Sequence, residues 1–167
     1  MVKLDIACGQ AKKEGFIGVD IARLPGVDIV HDLEQFPWPF DDNSIEEARC
    51  SHYVEHTKDL FKFLGEVYRI LEPGGKILII APYYSSIRAW QDPTHTRAIS
   101  EHTFLYCNRS WMEANKLTHY PISCNFDAAF EFDISQEWAN RSKEAISFAL
   151  KHYLNVAQNI NVTLTKR

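Results

Sequence analysis

The sequence predicts an α/β protein: one domain, residues 1–167, built on seven strands in a mostly parallel sheet, with helices on both faces and a shortened first crossover helix. Three observations carry this. Short apolar runs alternate with loops or helices from the first residues. The earliest runs each end at or near an acid. Two further runs stand at the end of the chain, where a reversed hairpin can join an otherwise parallel sheet.

Taken in order, residues 3–7, 16–21 and 27–32 are three short strands. The loop Phe36-Pro-Trp-Pro-Phe40 and the turn signal Asp41-Asp-Asn-Ser44 separate them from a fourth, residues 47–51. Residues 59–71 form an amphipathic helix, with Leu60, Phe63, Leu64, Val67 and Leu71 on one stripe. Pro73-Gly-Gly75 is read as its stop, since glycine takes the left-handed conformation that closes a helix end. Residues 76–81, rich in Ile and Leu, form a buried strand of the parallel type. Residues 82–97 read as a long aromatic and polar loop, and Ser100 as the cap of a helix starting at Glu101. Residues 125–132 alternate like a half-exposed strand. Residues 137–155 read as a helix with Trp138, Ala145, Ile146, Ala149 and Tyr153 inward, and residues 161–165 as the last strand.

Composition narrows the function class. Apolar content of 46% and charged content of 24% are those of an ordinary globular domain. No apolar run reaches the roughly 18 residues of a membrane span, and no signal-peptide pattern opens the chain, so a cytoplasmic protein without a membrane partner is expected. The four cysteines show no paired spacing and are read as reduced thiols. A net charge of −4 disfavours nucleic acid as partner.

The chemistry begins at Lys3-Leu-Asp-Ile-Ala-Cys-Gly9 and at Asp20, which ends Gly15-Phe-Ile-Gly-Val-Asp20. A strand stopping at a glycine beside a strand stopping at an acid places a close-approach turn and a carboxylate on one sheet edge. Such an edge can hold an adenosine: the glycine admits the ligand to the main chain and the acid accepts both ribose hydroxyls.

Further landmarks follow in order. They are His31-Asp32-Leu33, Ser51-His-Tyr-Val-Glu-His56, Arg69-Ile-Leu-Glu-Pro-Gly-Gly75 and Asp92-Pro-Thr-His95. Together with Leu4-Asp5-Ile-Ala-Cys-Gly9 they resemble the class I S-adenosylmethionine-dependent methyltransferase family, a Rossmann-like fold, and within it a compact type 11-like subgroup. The resemblance covers about residues 3 to 105. Ala7 replaces a glycine of the usual loop, and the gap to Asp20 is too short for a full first helix.

The resemblance implies S-adenosyl-L-methionine as cofactor and a set of residues around it. Asp5 is expected near the methionine ammonium or, in the plainer reading, on turn amides. Ala7, Cys8 and Gly9 contribute backbone, Asp20 accepts the ribose hydroxyls, Asp32 and Leu33 contact the adenine, and Ile21 and Ser51 belong to the same set. On the acceptor side His52, Tyr53 and His95 are the catalytic candidates, with Tyr83, Tyr84, Trp90 and His102 as pocket walls. A metal shared by His52, His56, His95 and His102 is not expected, because no C-x-x-C or H-E-x-x-H accompanies them. The expected activity is methyl transfer to an oxygen or nitrogen of a small or medium-sized acceptor. The alternative is a non-catalytic module that binds S-adenosylmethionine or S-adenosylhomocysteine while docking a partner.

Overall fold

The computed structural model describes residues 2–167. Its elements run β1 (Lys3–Ile6), β2 (Ile17–Asp20), β3 (Ile29–Val30), β4 (Ile45–Ser51), α1 (Leu60–Ile70), β5 (Leu71–Pro82), α2 (Arg88–Gln91), α3 (Glu101–Leu105), α4 (Arg109–Ala114), β6 (Phe126–Ile134), α5 (Lys143–His152) and β7 (Ala157–Lys166). The strands form one sheet in the order β3-β2-β1-β4-β5-β7-β6. β1 to β5 pair in parallel, while β7 runs antiparallel to both β5 and β6. Among the described residues no helix is long and apolar enough to cross a membrane.

Strand register separates the two faces. Leu4, Ala48, Ile77, Leu164 and Ala128 form one row, and Ile6, Cys50, Ile79, Val162 and Phe130 the next on the same side. These rows join the core, into which α1 sends Phe63, Leu64 and Val67 and α3 sends Phe104. The intervening row is Asp5, Arg49, Leu78, Thr163 and Ala129, and beyond it lie Lys3, Glu47, Lys76, Thr165 and Asp127. The sequence predicts helices on both faces; the helical side chains that reach the core reach it from the apolar one. The opposite side of β4, β5, β7 and β6 is polar and largely half-exposed or exposed, whereas the faces of a parallel sheet are ordinarily covered.

The first crossover departs further from expectation. β1 passes to β2 through turns alone, with no helix. Ala7 and Gly9 hold φ of 55° and 52°, a conformation that interrupts a right-handed helix before it can start. The loop instead packs tightly on β2. A Cβ at Gly18 would stand 2.8 Å from Cys8 Sγ and 3.0 Å from the Gly26 carbonyl oxygen, so only glycine fits that approach.

Around α1 the reading holds at one end and fails at the other. Asp59 caps the start, its Oδ1 accepting the Lys62 amide at 3.0 Å. The helix stops at Ile70 with Leu71 already extended, and Pro73-Gly-Gly75 lies inside β5 as a bulge, with φ of 80° at Gly74. Arg69 explains the rest of that motif. Its guanidinium donates to Glu66 at 2.6 Å, Asp42 at 2.6 Å and the Phe40 carbonyl at 2.8 Å, tying the Pro/Trp-rich loop to α1.

In the second half, α2 interrupts the long loop, α4 is an additional short helix, and the predicted 137–155 helix shrinks to α5. Ser142 sets its start by accepting the Ala145 amide. Of the five residues expected inward there, Ala149 is buried while Tyr153 is 53% exposed. All four cysteines are free and buried.

Candidate active site

The carboxyl ends of β1, β2 and β3 and the turn after β4 enclose a cavity of about 230 Å³. Its walls include Ala7, Asp20, Ile21, Asp32 and Leu33, five of the residues expected around the cofactor. Glu34, Tyr53, His56 and Lys58 complete it.

Each acid is held by backbone. Asp20 Oδ2 accepts the Gly9 amide at 2.9 Å, and Oδ1 the Ala22 amide at 3.0 Å. The glycine therefore orients the acid, which keeps lone pairs for a further donor on each oxygen. Asp32 Oδ1 accepts the Glu34 amide at 3.0 Å, a turn of the Asx type that leaves Oδ2 unengaged. Leu33 is buried, and its carbonyl takes Trp38 Nε1 at 3.1 Å.

Glu34 joins this half of the cavity to the other. Its Oε1 accepts the Tyr53 hydroxyl at 3.1 Å, the Thr57 hydroxyl at 2.7 Å and the Lys58 amide at 3.1 Å. Burial, and then the Glu34 charge, push the Tyr53 phenol above its ordinary value, so it stays protonated as a donor. The sequence places Tyr53 on the acceptor side; in the fold its hydroxyl is bonded to Glu34 in the cavity wall. Only its place after His52 marked it, and the paired acid, Glu34, lies too far along the chain to be read.

Four other expected residues stand outside the cavity lining. Asp5 is fully buried on the polar side of the sheet, where it accepts the Lys13 amide at 2.7 Å and pairs with Arg49 Nη1 at 3.1 Å. That is its plainer reading, with an ion pair added. Cys8 donates its amide to the Val19 carbonyl, Gly9 acts through Asp20, and Ser51 is a β4 residue paired with Ile80.

The segment after α2 is buttoned to the turn after β4. The Thr96 amide and hydroxyl both reach the Glu55 carbonyl, at 2.8 and 3.0 Å. Arg97 donates to the Val54 and Lys58 carbonyls at 3.0 and 3.2 Å, and also to that of Thr57. This brings His95 against His56, ring centroids 4.7 Å apart. His52 adopts φ of 55° at the end of β4, strain of a kind that gathers at functional sites. Its Nδ1 lies 3.2 Å from Glu55 Oε1, and its side chain is 45% exposed.

A second, larger cavity of about 700 Å³ opens beyond β5. Tyr83, Tyr84 and His102, named as pocket walls, line it together with Glu101, Phe132 and Lys151. Trp90 does not; it is 65% exposed, its Nε1 donating to the Tyr84 carbonyl at 3.0 Å. The two cavities share no lining residue.

Residues 11–79 match the family model described as a methyltransferase domain. A probable S-adenosylmethionine-dependent methyltransferase of Mycolicibacterium smegmatis is 34% identical over 84 residues, covering 47% of this chain and 32% of that protein. Over residues 11–79 the chain is thus similar to methyltransferase domains of the S-adenosylmethionine-dependent kind. The crystal structure of a SAM dependent methyltransferase from Archaeoglobus fulgidus has the same fold, with TM-score 0.69 and 23% identity over 98% of this chain and 85% of that one. The sterol methyltransferase-like 2 protein of Botryococcus braunii is 27% identical over 128 residues, 71% of this chain and 32% of that protein. The chain thus spans about a third of the length of these two curated relatives.

Proposed function

We propose that this chain binds S-adenosyl-L-methionine by its nucleoside end in the 230 Å³ cavity and transfers the methyl group to an oxygen or nitrogen of a small or medium-sized acceptor. The observation that carries the reading is the convergence of Asp20, Asp32, Leu33 and Ala7 on one cavity, with both carboxylates fixed by backbone amides. The residues fit the group. Asp20 has acceptor capacity for two hydroxyls, Asp32 has a free oxygen for an exocyclic amine, and Ala7 brings main chain close to the ligand. The volume is below the roughly 300 Å³ of a site that encloses a drug-sized ligand. It suits the nucleoside, and the methionine end is left to the side where the first crossover helix is missing.

The cofactor supplies a methyl group already activated on a sulfonium. The chain's task is to hold donor and acceptor in line and to exclude water, a contribution of up to about 7–11 kcal/mol. For an acceptor that must lose a proton, His52 is the candidate base. Glu55 accepts from its Nδ1, which leaves Nε2 as the proton acceptor and fixes the ring. The aromatic 700 Å³ cavity is the candidate acceptor pocket.

The test pairs binding with turnover. Adenosine alone should compete with S-adenosylmethionine, and S-adenosylhomocysteine should form with some member of a panel of hydroxyl and amine acceptors. Intact binding without product from any acceptor would overturn the catalytic half and favour the non-catalytic binding module.

A further inference from the structure

Beside the nucleoside cavity, Glu55, His56 and His95 each offer one possible ligand atom, the three atoms lying within 4.8 Å of one another. Glu55 is 1% exposed. Its Oε1 engages His52, but its Oε2 is buried without a hydrogen-bond partner. A buried carboxylate oxygen left without a donor is destabilising, so it calls for an explanation.

The protons on both imidazoles can be assigned from their partners. His95 Nδ1 lies 3.0 Å from the Ala89 carbonyl, which can only accept, so Nδ1 carries the proton. Thr94 Oγ1 gives its single proton to Asp92 Oδ1 at 2.7 Å, so it must accept from His56 Nδ1 at 3.0 Å. In its neutral form each ring therefore presents Nε2 as the bare lone pair. Imidazole ligands of metals are held in this way, with the second ring nitrogen donating to a carbonyl or a carboxylate-linked group.

We propose that Glu55 Oε2, His56 Nε2 and His95 Nε2 form a binding site for a divalent transition-metal ion of the zinc type. Two nitrogens and one carboxylate suit that ion, and three protein ligands leave a coordination position open, as in reactive rather than structural zinc sites. Zinc bonds of about 2.0–2.2 Å put tetrahedral ligand atoms roughly 3.4 Å apart, so the side chains close by about an ångström on binding. Asp92 Oδ2, 3.9 Å from His95 Nε2, stands next in reach. Of the four histidines for which the sequence gives no expectation of a metal, the fold sets His52 on Glu55 and brings His56 and His95 together.

The test needs no cofactor. Full-length protein freed of metal by a chelator is titrated with Co²⁺, read by visible absorption, and with Zn²⁺ against a chromophoric chelator. One ion per chain is expected, with cobalt bands of a low-coordinate nitrogen and oxygen site. His95→Ala and Glu55→Gln should weaken binding at least a hundredfold. Thr94→Val, which keeps all three ligands but removes the hydroxyl that fixes His56, should weaken it about 10–100-fold. Circular dichroism checks that each variant folds; should Glu55→Gln not fold, the other two decide. Binding by the folded wild type that is only millimolar or non-stoichiometric would overturn the site, as would unchanged binding in His95→Ala and Thr94→Val.

Discussion

Replacing Arg49 by Met separates two accounts of Asp5. The structure buries this carboxylate completely and gives it the Lys13 amide at 2.7 Å and Arg49 Nη1 at 3.1 and 3.3 Å from its two oxygens. Removing the guanidinium leaves a desolvated charge with one amide. Breaking a buried pair from one side costs about 3–5 kcal/mol. Because the Arg49 side chain is 24% exposed, the lower end applies. For a domain of this size about 3 kcal/mol corresponds to a fall in melting temperature of roughly 6–12 °C. Thermal unfolding at neutral pH checks it, and adding Asp5→Asn in the same chain should restore at least half the loss. A fall below about 2 °C, or a loss of S-adenosylmethionine affinity with no loss of stability, would return Asp5 to the cofactor.

Two further outcomes follow from the same geometry. Arg97→Met removes the donor to three carbonyls of the turn after β4. Backbone amides of residues 52–58 should then exchange faster by mass spectrometry and nucleoside binding should weaken, since Tyr53, His56 and Lys58 line that cavity. At high pH, Tyr83 matters: burial, then the Glu101 charge, raise its phenol above the ordinary 10.0. Its contribution is whole below that value and is lost as pH rises through it, because the unfolded chain ionises first. The melting temperature of the wild type should fall more steeply above pH 10.0 than that of Tyr83→Phe; parallel curves would refute the assignment.

What could be read from the sequence was what neighbours along the chain decide. Short apolar runs ending at acids placed β1 and β2, the 3.6-residue stripe found α1, and a glycine and an acid at adjacent strand ends marked Gly9 and Asp20. What could not be read depends on register between distant strands. Asp5 meets Arg49 because β1 and β4 pair as they do, and no local pattern fixes that pairing. The same holds for His56 and His95, and for Glu34 reaching Tyr53. Pro73-Gly-Gly75 failed for another reason: a helix stop and a bulge both ask for a left-handed glycine, and the difference lies in where β5 begins. In α5 the apolar residues lacked a consistent stripe, and the cap at Ser142 was the better signal.

The central claim is that the cavity at Asp20 holds the nucleoside of S-adenosylmethionine, and calorimetric titration of the wild type and Asp20→Ala with that compound tests it most directly. Charge-assisted hydrogen bonds are worth about 1.5–3 kcal/mol each. The account predicts saturable binding by the wild type that the substitution weakens at least tenfold. Absence of binding by the folded wild type at millimolar ligand, or equal affinity in the two proteins, would contradict it.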